Sequence, residues 1–116
     1  MLATRHRLVK QADFRRVYRI GRLYGTGTVI VKVAANAKSF SRIGFSVEKK
    51  QFAKATDRNR VKRLLRESIR PVLAKIKPGF DLVIICRRPN RLEELEFKNL
   101  QTAIAAQLQK GHLFIA

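Results

Sequence analysis

The spacing of apolar residues predicts a two-faced helix in the middle of the chain. In residues 56–70, apolar side chains recur at positions 61, 64, 65 and 69, and the pattern continues at position 72. At about 100° per residue, the polar side chains fall opposite this stripe. Thr56 or Asp57 can cap the helix. Pro71 either ends it or begins another turn as its first residue.

Two further helices are predicted at the ends of the chain. Residues 11–20 place Phe14, Val17 and Tyr18 on one face, arginines surround the other, and Gly21 follows as a stop. Residues 93–110 begin with glutamates, which suit the positive end of a helix dipole, and Gly111 ends the segment. The residues of this last helix predicted to face the core are Phe97, Leu100, Ile104 and Leu108.

Three strands complete the predicted fold. Residues 28–34 form an apolar strand, and a turn at 36–41 precedes the cleanly alternating strand at 42–48, so we expect these two strands to form a hairpin. Residues 80–86 are continuously apolar between turn signals, which predicts a central strand buried on both faces. The order α-β-β-α-β-α predicts an α+β fold, with helices packed on a small mixed sheet in one domain spanning residues 1–116.

The charge of the chain indicates a polyanionic partner. The 116 residues include 26 Lys and Arg against 8 Asp and Glu, a formal net charge of +18, while 46% hydrophobic content argues against disorder. No stretch approaches the roughly 18 apolar residues of a membrane span, and the N-terminus lacks the apolar run of a signal peptide. Because the single cysteine, Cys86, has no partner for an internal disulfide, we expect a cytoplasmic protein.

The central helix carries much of this charge. Residues 56–70 contain six Lys or Arg and only two acids, Asp57 and Glu67, which gives the segment a net charge of +4. Most such helices show only a solvated face. A merely solvated helix usually pairs its charges along the surface, so the uncompensated charge favours a binding surface.

The sequence offers few groups for catalysis. Its acids are scattered, whereas metal-dependent nucleases need clustered carboxylates. His6 and His112, which are the two histidines, lie near opposite termini, and no zinc-ligand spacing or phosphate-binding glycine loop is present. We therefore expect no autonomous active site and assign no metal ligands.

Binding by aromatic side chains is better supported. Phe14 and Tyr18 are four residues apart and share a helix face. They are either core residues or rings that stack on unpaired bases while neighbouring arginines hold the backbone. In the second case Ser46, with Lys32 or Thr28, would line the same groove.

The run FSVEKKQFAKATDRNRVKRLLRES strongly resembles the protein components of bacterial ribonuclease P. The family's R-N-R-x-K-R-x-x-R-E helix is matched residue by residue, by Arg58, Asn59, Arg60, Lys62, Arg63, Arg66 and Glu67. The N-terminal pattern R-L-x-K-x-x-D-F-x-x-V-Y/F is matched by Arg7, Leu8, Lys10, Asp13, Phe14, Val17 and Tyr18. The third strand followed by Arg87-Arg88-Pro89 matches as well, so the resemblance covers nearly the whole chain.

This resemblance implies a role divided between two molecules. A catalytic RNA, with Mg²⁺, removes the 5′ leader of precursor tRNA, and the protein, which binds no cofactor alone, docks on that RNA and holds the leader. The residues implied for docking on the RNA subunit are Arg58, Asn59, Arg60, Lys62, Arg63, Arg66 and Arg70. Those implied for leader binding are Phe14, Tyr18, Lys32, Ser46 and Arg88. We expect neither membrane nor DNA as a partner.

The resemblance also implies a fold like the second domain of ribosomal protein S5, with an unusual left-handed β-α-β crossover. Two departures from the family pattern are visible. Residues 51–57 replace the Gly-Asn-Ala-Val that many members carry, and Lys32 stands where some members place a tyrosine.

Three other functions of small basic α/β chains fit this sequence less well than a role in ribonuclease P. A ribosomal RNA-binding protein would not stimulate tRNA processing. A DNA-binding regulator could insert a basic helix into a major groove, but no dimer interface is evident. A free-standing nuclease would cleave precursor tRNA without an RNA subunit.

Overall fold

Helix α1 (Gln11–Ile20) has the predicted bounds, and Gly21 follows it directly. The structure is a computed structural model that describes residues 6–25, 27–89 and 95–115. Three strands follow α1 before the next helix: β1 (Arg22–Tyr24), β2 (Val29–Ala35) and β3 (Arg42–Ser46). Then come α2 (Ala55–Ile69), β4 (Phe80–Cys86) and α3 (Phe97–Lys110).

The strands form one mixed sheet in the order β1-β2-β4-β3. Strand β4 pairs antiparallel with β2 and parallel with β3, so the predicted hairpin of β2 and β3 is wrong. The reason is that β4 is apolar on both faces and is best buried at the centre of the sheet. It therefore separates the two strands that are consecutive in sequence. The predicted central position of residues 80–86 is confirmed.

Strand β1 was not predicted from the sequence. It has three residues, of which Arg22 and Leu23 are exposed, and it pairs with the outer edge of β2. Such a short segment is below the length at which alternation of apolar and polar residues can be recognised.

Most of the core lies between one face of the sheet and helices α2 and α3. Val31, Ile43 and Ile84 point to this side, where they meet Leu65 of α2 and Ile104 of α3. The other face packs against α1 through a smaller cluster built on Leu8, Val17, Ala34 and Val83. The predicted α+β class with a small mixed sheet is confirmed. The left-handed sense of the β3-α2-β4 crossover stays a prediction.

Helix α2 begins one residue earlier than predicted. Its N-cap residue is Lys54, which makes no side-chain capping bond, so the predicted caps Thr56 and Asp57 are wrong. Because Ala55 is already helical, both residues lie in the first turn, where Asp57 complements the positive end of the helix dipole. Pro71 lies at the start of a 3₁₀ segment, Arg70–Lys75, which confirms the alternative in which it begins another turn.

Helix α3 buries Leu100, Ile104 and Leu108 completely, as predicted. Phe97 was expected in the core but is 39% exposed. It is the first helical residue, and because Cβ atoms tilt toward a helix N-terminus, its side chain projects beyond the packed turns. The helix begins at Phe97 rather than at residue 93, and Glu93 and Glu94 lie outside the described residues. Within the described ranges, no helix is long and apolar enough to cross a membrane.

Candidate RNA interface

Phe14 and Tyr18 have different environments on the sheet-facing side of α1. The Phe14 ring is half-buried against the small cluster, directly over Gly44, where an added Cβ would lie 2.7 Å from Phe14 Cε1. Tyr18 is 38% exposed, and its ring centroid is 6.5 Å from that of Phe14. Phe14 is thus partly a core residue, whereas Tyr18 offers an accessible ring at the edge of the helix.

Lys32 and Ser46 lie on the sheet face that α1 crosses. The Nζ of Lys32 donates a 2.8 Å hydrogen bond to the Tyr18 carbonyl oxygen and lies 5.7 Å from the Tyr18 ring centroid. Ser46 is half-buried and follows Gly44 by two residues, so both project from the same face of β3. We call Phe14, Tyr18, Lys32 and Ser46, with this strip of sheet, the α1 cleft.

The polar face of α2 presents a row of cations, on the side that the periodicity predicted. Asn59, Arg60, Arg63 and Arg66 are exposed, and Lys62 is half-buried. Arg58 is also half-buried, and its guanidinium donates 2.9 Å bonds to the carbonyl oxygens of Phe52 and Ala53. Arg58 therefore holds the end of the connector, the segment 47–54 between β3 and α2, in place. Arg70, at the opposite end of the helix, pairs with Glu67 at 3.2 Å.

Arg88 lies beside the start of α2 rather than in the α1 cleft. Its backbone N–H donates to Gln51 Oε1 at 2.9 Å, and its guanidinium carbon lies 6.0 Å from the centroid of the Phe52 ring. Together with Arg60 and Val61 it lines a groove of about 440 Å³. The structure thus places Arg88 with residues predicted to bind the RNA subunit, apart from the other predicted leader residues.

A second groove, of about 320 Å³, connects the α1 cleft to α2 around the edge of β3. Phe14 lines one side, and Lys62 and Arg66 line the other. The Arg66 guanidinium carbon lies 5.9 Å from the centroid of the Phe45 ring, which forms part of the wall. The two surfaces that the sequence suggested separately are therefore continuous.

A chain of three ion pairs under α1, whose two ends both belong to α1, was missed by sequence reasoning. Asp81 of β4 is fully buried and accepts bonds from Arg42 Nε at 2.9 Å and Arg42 Nη2 at 2.7 Å. Arg16 Nη1 lies 3.3 Å from Asp81, and Arg42 Nη1 lies 3.2 Å from Asp13 Oδ2. We call Asp13, Arg16, Arg42 and Asp81 the ion-pair ring. A single acid within an apolar strand was the signal that could have revealed it.

Within the ring, Asp81 and Arg42 stabilise each other's ionised forms. Burial alone would raise the pKa of Asp81, but hydrogen bonds from Arg42 and Asn36, with the positive charges of Arg42 and Arg16, hold that pKa below its usual value. The hydrogen bond to Asp81 raises the pKa of Arg42 above its ordinary value, against the opposing effect of burial. The bond from Asn36 is donated by its Nδ2 to Asp81 Oδ1, at 2.9 Å.

Comparison with known proteins identifies the family. The ribonuclease P family model matches residues 2–111. The ribonuclease P protein component of Clostridioides difficile is 39% identical over 109 residues, covering 93% of each chain. The chain belongs to the ribonuclease P protein family. The corresponding component of Alkaliphilus oremlandii is 37% identical over 108 residues, covering 93% of this chain and 92% of the relative.

Solved ribonuclease P proteins share the fold. The Staphylococcus aureus protein superposes with a TM-score of 0.80 at 28% identity, covering 95% of this chain and 98% of the other. The Thermotoga maritima protein gives 0.76 at 32% identity, covering 90% of this chain and 96% of the other. The family assignment made from the Arg-Asn-Arg motif is confirmed.

Groups suited to catalysis are scattered over the part of the chain that the structure describes. Among residues 6–25, 27–89 and 95–115, no three His, Cys, Asp or Glu side chains come together as a metal site. His6 Nδ1 lies 2.9 Å from the carbonyl oxygen of Ser41, which precedes β3, whereas Cys86 is the last residue of β4. Cys86 is buried, and burial raises the pKa of its thiol to about 11, which disfavours the reactive thiolate.

Proposed function

We propose that this chain is the protein subunit of a ribonuclease P ribonucleoprotein. In this role it binds the catalytic RNA and the 5′ leader of precursor tRNA, and it assists endonucleolytic removal of the leader to give the mature 5′ end. The observation that carries the proposal is the continuity between the α1 cleft and the cationic face of α2. The exposed ring of Tyr18 suits binding of a single strand. The row of cations on α2 suits binding of a folded RNA.

The α1 cleft is proposed to hold the leader. Tyr18 offers an accessible ring on which an unpaired base can stack, and Lys32 places a cation beside it. Ser46 adds a hydroxyl that can bond to a phosphate or sugar. Phe14 forms an apolar part of the wall, in contact with Gly44 of the sheet. Stacking is tolerant of base identity, so backbone and stacking contacts would dominate over reading of the leader sequence.

The polar face of α2 is proposed to dock on the catalytic RNA. Arg60, Lys62, Arg63 and Arg66 are directed away from the core and can neutralise phosphates, which supplies salt-dependent binding energy. Asn59, on the same face, offers an amide that can form hydrogen bonds to RNA. Arg58 contributes mainly by fixing the connector, and Arg88 belongs with this docking surface by position. Arg70, held by Glu67, is expected to contribute less.

Catalysis is proposed to belong to the RNA subunit, with Mg²⁺ as the metal of the holoenzyme. The protein contributes affinity and orientation, since holding the leader and the catalytic RNA together lowers the entropic cost of assembling the reactants. Its positive charge also reduces the repulsion between two closely packed RNAs. A cytoplasmic site of action is part of this proposal.

The test is a cleavage assay of precursor tRNA with a bacterial ribonuclease P RNA at low Mg²⁺, with and without this protein. We expect strong stimulation of leader removal by the protein and no cleavage by the protein alone. Absence of stimulation would contradict the proposal and would favour the alternative of a ribosomal RNA-binding protein. Cleavage by the protein without RNA would favour a free-standing nuclease.

A further inference from the structure

The ion-pair ring joins α1 to the sheet at two points one helical turn apart. Asp13 and Arg16 both belong to α1, and their partners Arg42 and Asp81 lie opposite each other in the paired strands β3 and β4. The ring therefore runs from the helix to β4, across to β3, and back to the helix. Two attachments at different points along α1 resist both sliding and rotation of the helix.

Apolar packing under α1 is less extensive than in the main core. Val17 is the one fully buried side chain that α1 contributes, and the cluster beneath it is much smaller than the main core. Apolar contact is also non-directional, whereas paired bonds between a guanidinium and a carboxylate have a defined geometry. The Arg42–Asp81 pair has this geometry, with bonds of 2.9 Å and 2.7 Å.

The position of α1 decides the shape of the α1 cleft. One wall carries Phe14 and Tyr18, which move with the helix, and the floor carries Lys32 and Ser46, which stay with the sheet. Arg42 and Asp81 of the ion-pair ring lie in one row across the sheet, together with Ala34. Gly44, which lies under Phe14, belongs to the next row on the same face. A shift of α1 would alter the spacing between the rings and the floor.

We infer that the ion-pair ring sets the width of the α1 cleft, and that Asp13, Arg42 and Asp81 are positioning residues for recognition of the leader. This inference rests on the proposed function, since it concerns the same cleft. None of these three side chains needs to contact RNA. Their effect would be carried by the position of Phe14 and Tyr18.

Asp13→Asn separates positioning from simple electrostatics. Asp13 is partly exposed, and Arg42 keeps its bonds to Asp81 when Asp13 is changed, so the variant leaves no buried charge unpaired. Removing a negative charge near the cleft should by itself strengthen RNA binding. If the ion-pair ring positions α1, the preference of the holoenzyme for precursor over mature tRNA should instead fall in Asp13→Asn. The charge effect and the positioning effect therefore have opposite signs.

The measurement is the ratio of the Kd for mature tRNA to the Kd for precursor tRNA, with the reconstituted holoenzyme. We expect Asp13→Asn to reduce this ratio by at least about threefold, and Asp13→Glu, which keeps a carboxylate, to restore most of it. The matched control is Glu48→Gln, which removes one negative charge after β3 without touching the ring. Its ratio should be unchanged or higher.

A direct structural readout accompanies the binding data. In the unchanged protein, the contact of the Phe14 ring with Gly44 should give a strong nuclear Overhauser effect between the ring and the Gly44 Hα. This signal should weaken in Asp13→Asn and persist in Glu48→Gln, while both variants keep the dispersed spectrum of a folded chain.

The outcomes distinguish the inference from the proposed function. If the unchanged holoenzyme does not prefer precursor over mature tRNA, the proposed role of the cleft fails and the inference fails with it. If it does prefer precursor, and Asp13→Asn keeps both that preference and the Phe14–Gly44 signal, the inference alone is overturned. An increase in the ratio for Asp13→Asn would also overturn it.

Discussion

The ring of Phe14 lies directly on Gly44, so that the absence of a side chain on β3 makes room for an aromatic wall of the α1 cleft. An added methyl group would also lie 3.1 Å from the Cβ of Leu8, which belongs to the same small cluster. This contact connects a glycine of the sheet to an aromatic residue predicted to bind the leader.

Gly44→Ala should displace the Phe14 ring. We expect a loss of about 1–3 kcal/mol in the free energy of unfolding, because overpacking forces the ring or the backbone to shift. The preference for precursor tRNA should also fall. Urea unfolding and tRNA binding measure the two effects.

Gly111→Ala is the control for Gly44→Ala. Gly111 follows α3 with φ −82°, which alanine tolerates. An added Cβ would lie 3.1 Å from Tyr24 Cε2, which is milder crowding than at Gly44, so the loss of stability should be clearly smaller. Equal stability of Gly44→Ala and Gly111→Ala would contradict the close contact with Phe14.

Tyr18→Ala should weaken leader binding with little effect on folding, because its ring is partly exposed. Loss of one stacked base corresponds to about 1–3 kcal/mol, so the Kd for precursor tRNA should rise while that for mature tRNA stays constant. The measurement is equilibrium binding to the holoenzyme. Phe97→Ala removes an aromatic ring of nearly the same exposure, 39% against 38%, from α3 and should change neither Kd. An equal loss for both tRNAs in Tyr18→Ala would exclude stacking on the leader.

Arg63→Gln should weaken the docking of the protein on the catalytic RNA. Arg63 is exposed on the polar face of α2. If it neutralises one phosphate, the slope of log K against log salt concentration should decrease by about 1. Titrations over a series of salt concentrations measure this slope. Lys38→Gln, which removes one positive charge from the turn after β2, should leave the slope unchanged, and the same slope change in both variants would indicate a general effect of net charge.

The buried carboxylate of Asp81 should make stability depend on pH. The pKa of Asp81 is lowered in the folded protein, so its contribution is present above the unfolded value of about 3.9 and is lost as the pH falls below that value toward the folded pKa. At neutral pH, Asp81→Asn should lower the free energy of unfolding by about 3–5 kcal/mol, because Arg42 loses its buried partner.

Urea unfolding of both proteins between pH 7 and pH 2 tests this expectation for Asp81. The difference in unfolding free energy between the unchanged chain and Asp81→Asn should shrink below about pH 4. A difference that stays constant over the whole range would show that the carboxylate charge does not stabilise the fold.

Local patterns in the sequence were sufficient to predict several helices and strands and the chemical character of part of the site. The bounds of α1 were predicted correctly because the apolar spacing and Gly21 are both local signals. The central position of residues 80–86 followed from their continuous apolar character. The cationic face of α2 followed from helical periodicity, and the Arg-Asn-Arg motif identified the family.

Tertiary structure alone decided which distant residues meet. Strand β4 enters between β2 and β3 because its two apolar faces both need cover, and no local pattern in residues 28–48 indicates this. Asp13, Arg42 and Asp81 are separated by 29 and 39 positions, yet they form one ring. The groove at the edge of β3 likewise joins Phe14 to Lys62. The sequence therefore determined the elements and the chemical character of their faces, because these depend on neighbouring residues. The shape of the cleft depends on long-range pairing, which is fixed only when the sheet has formed.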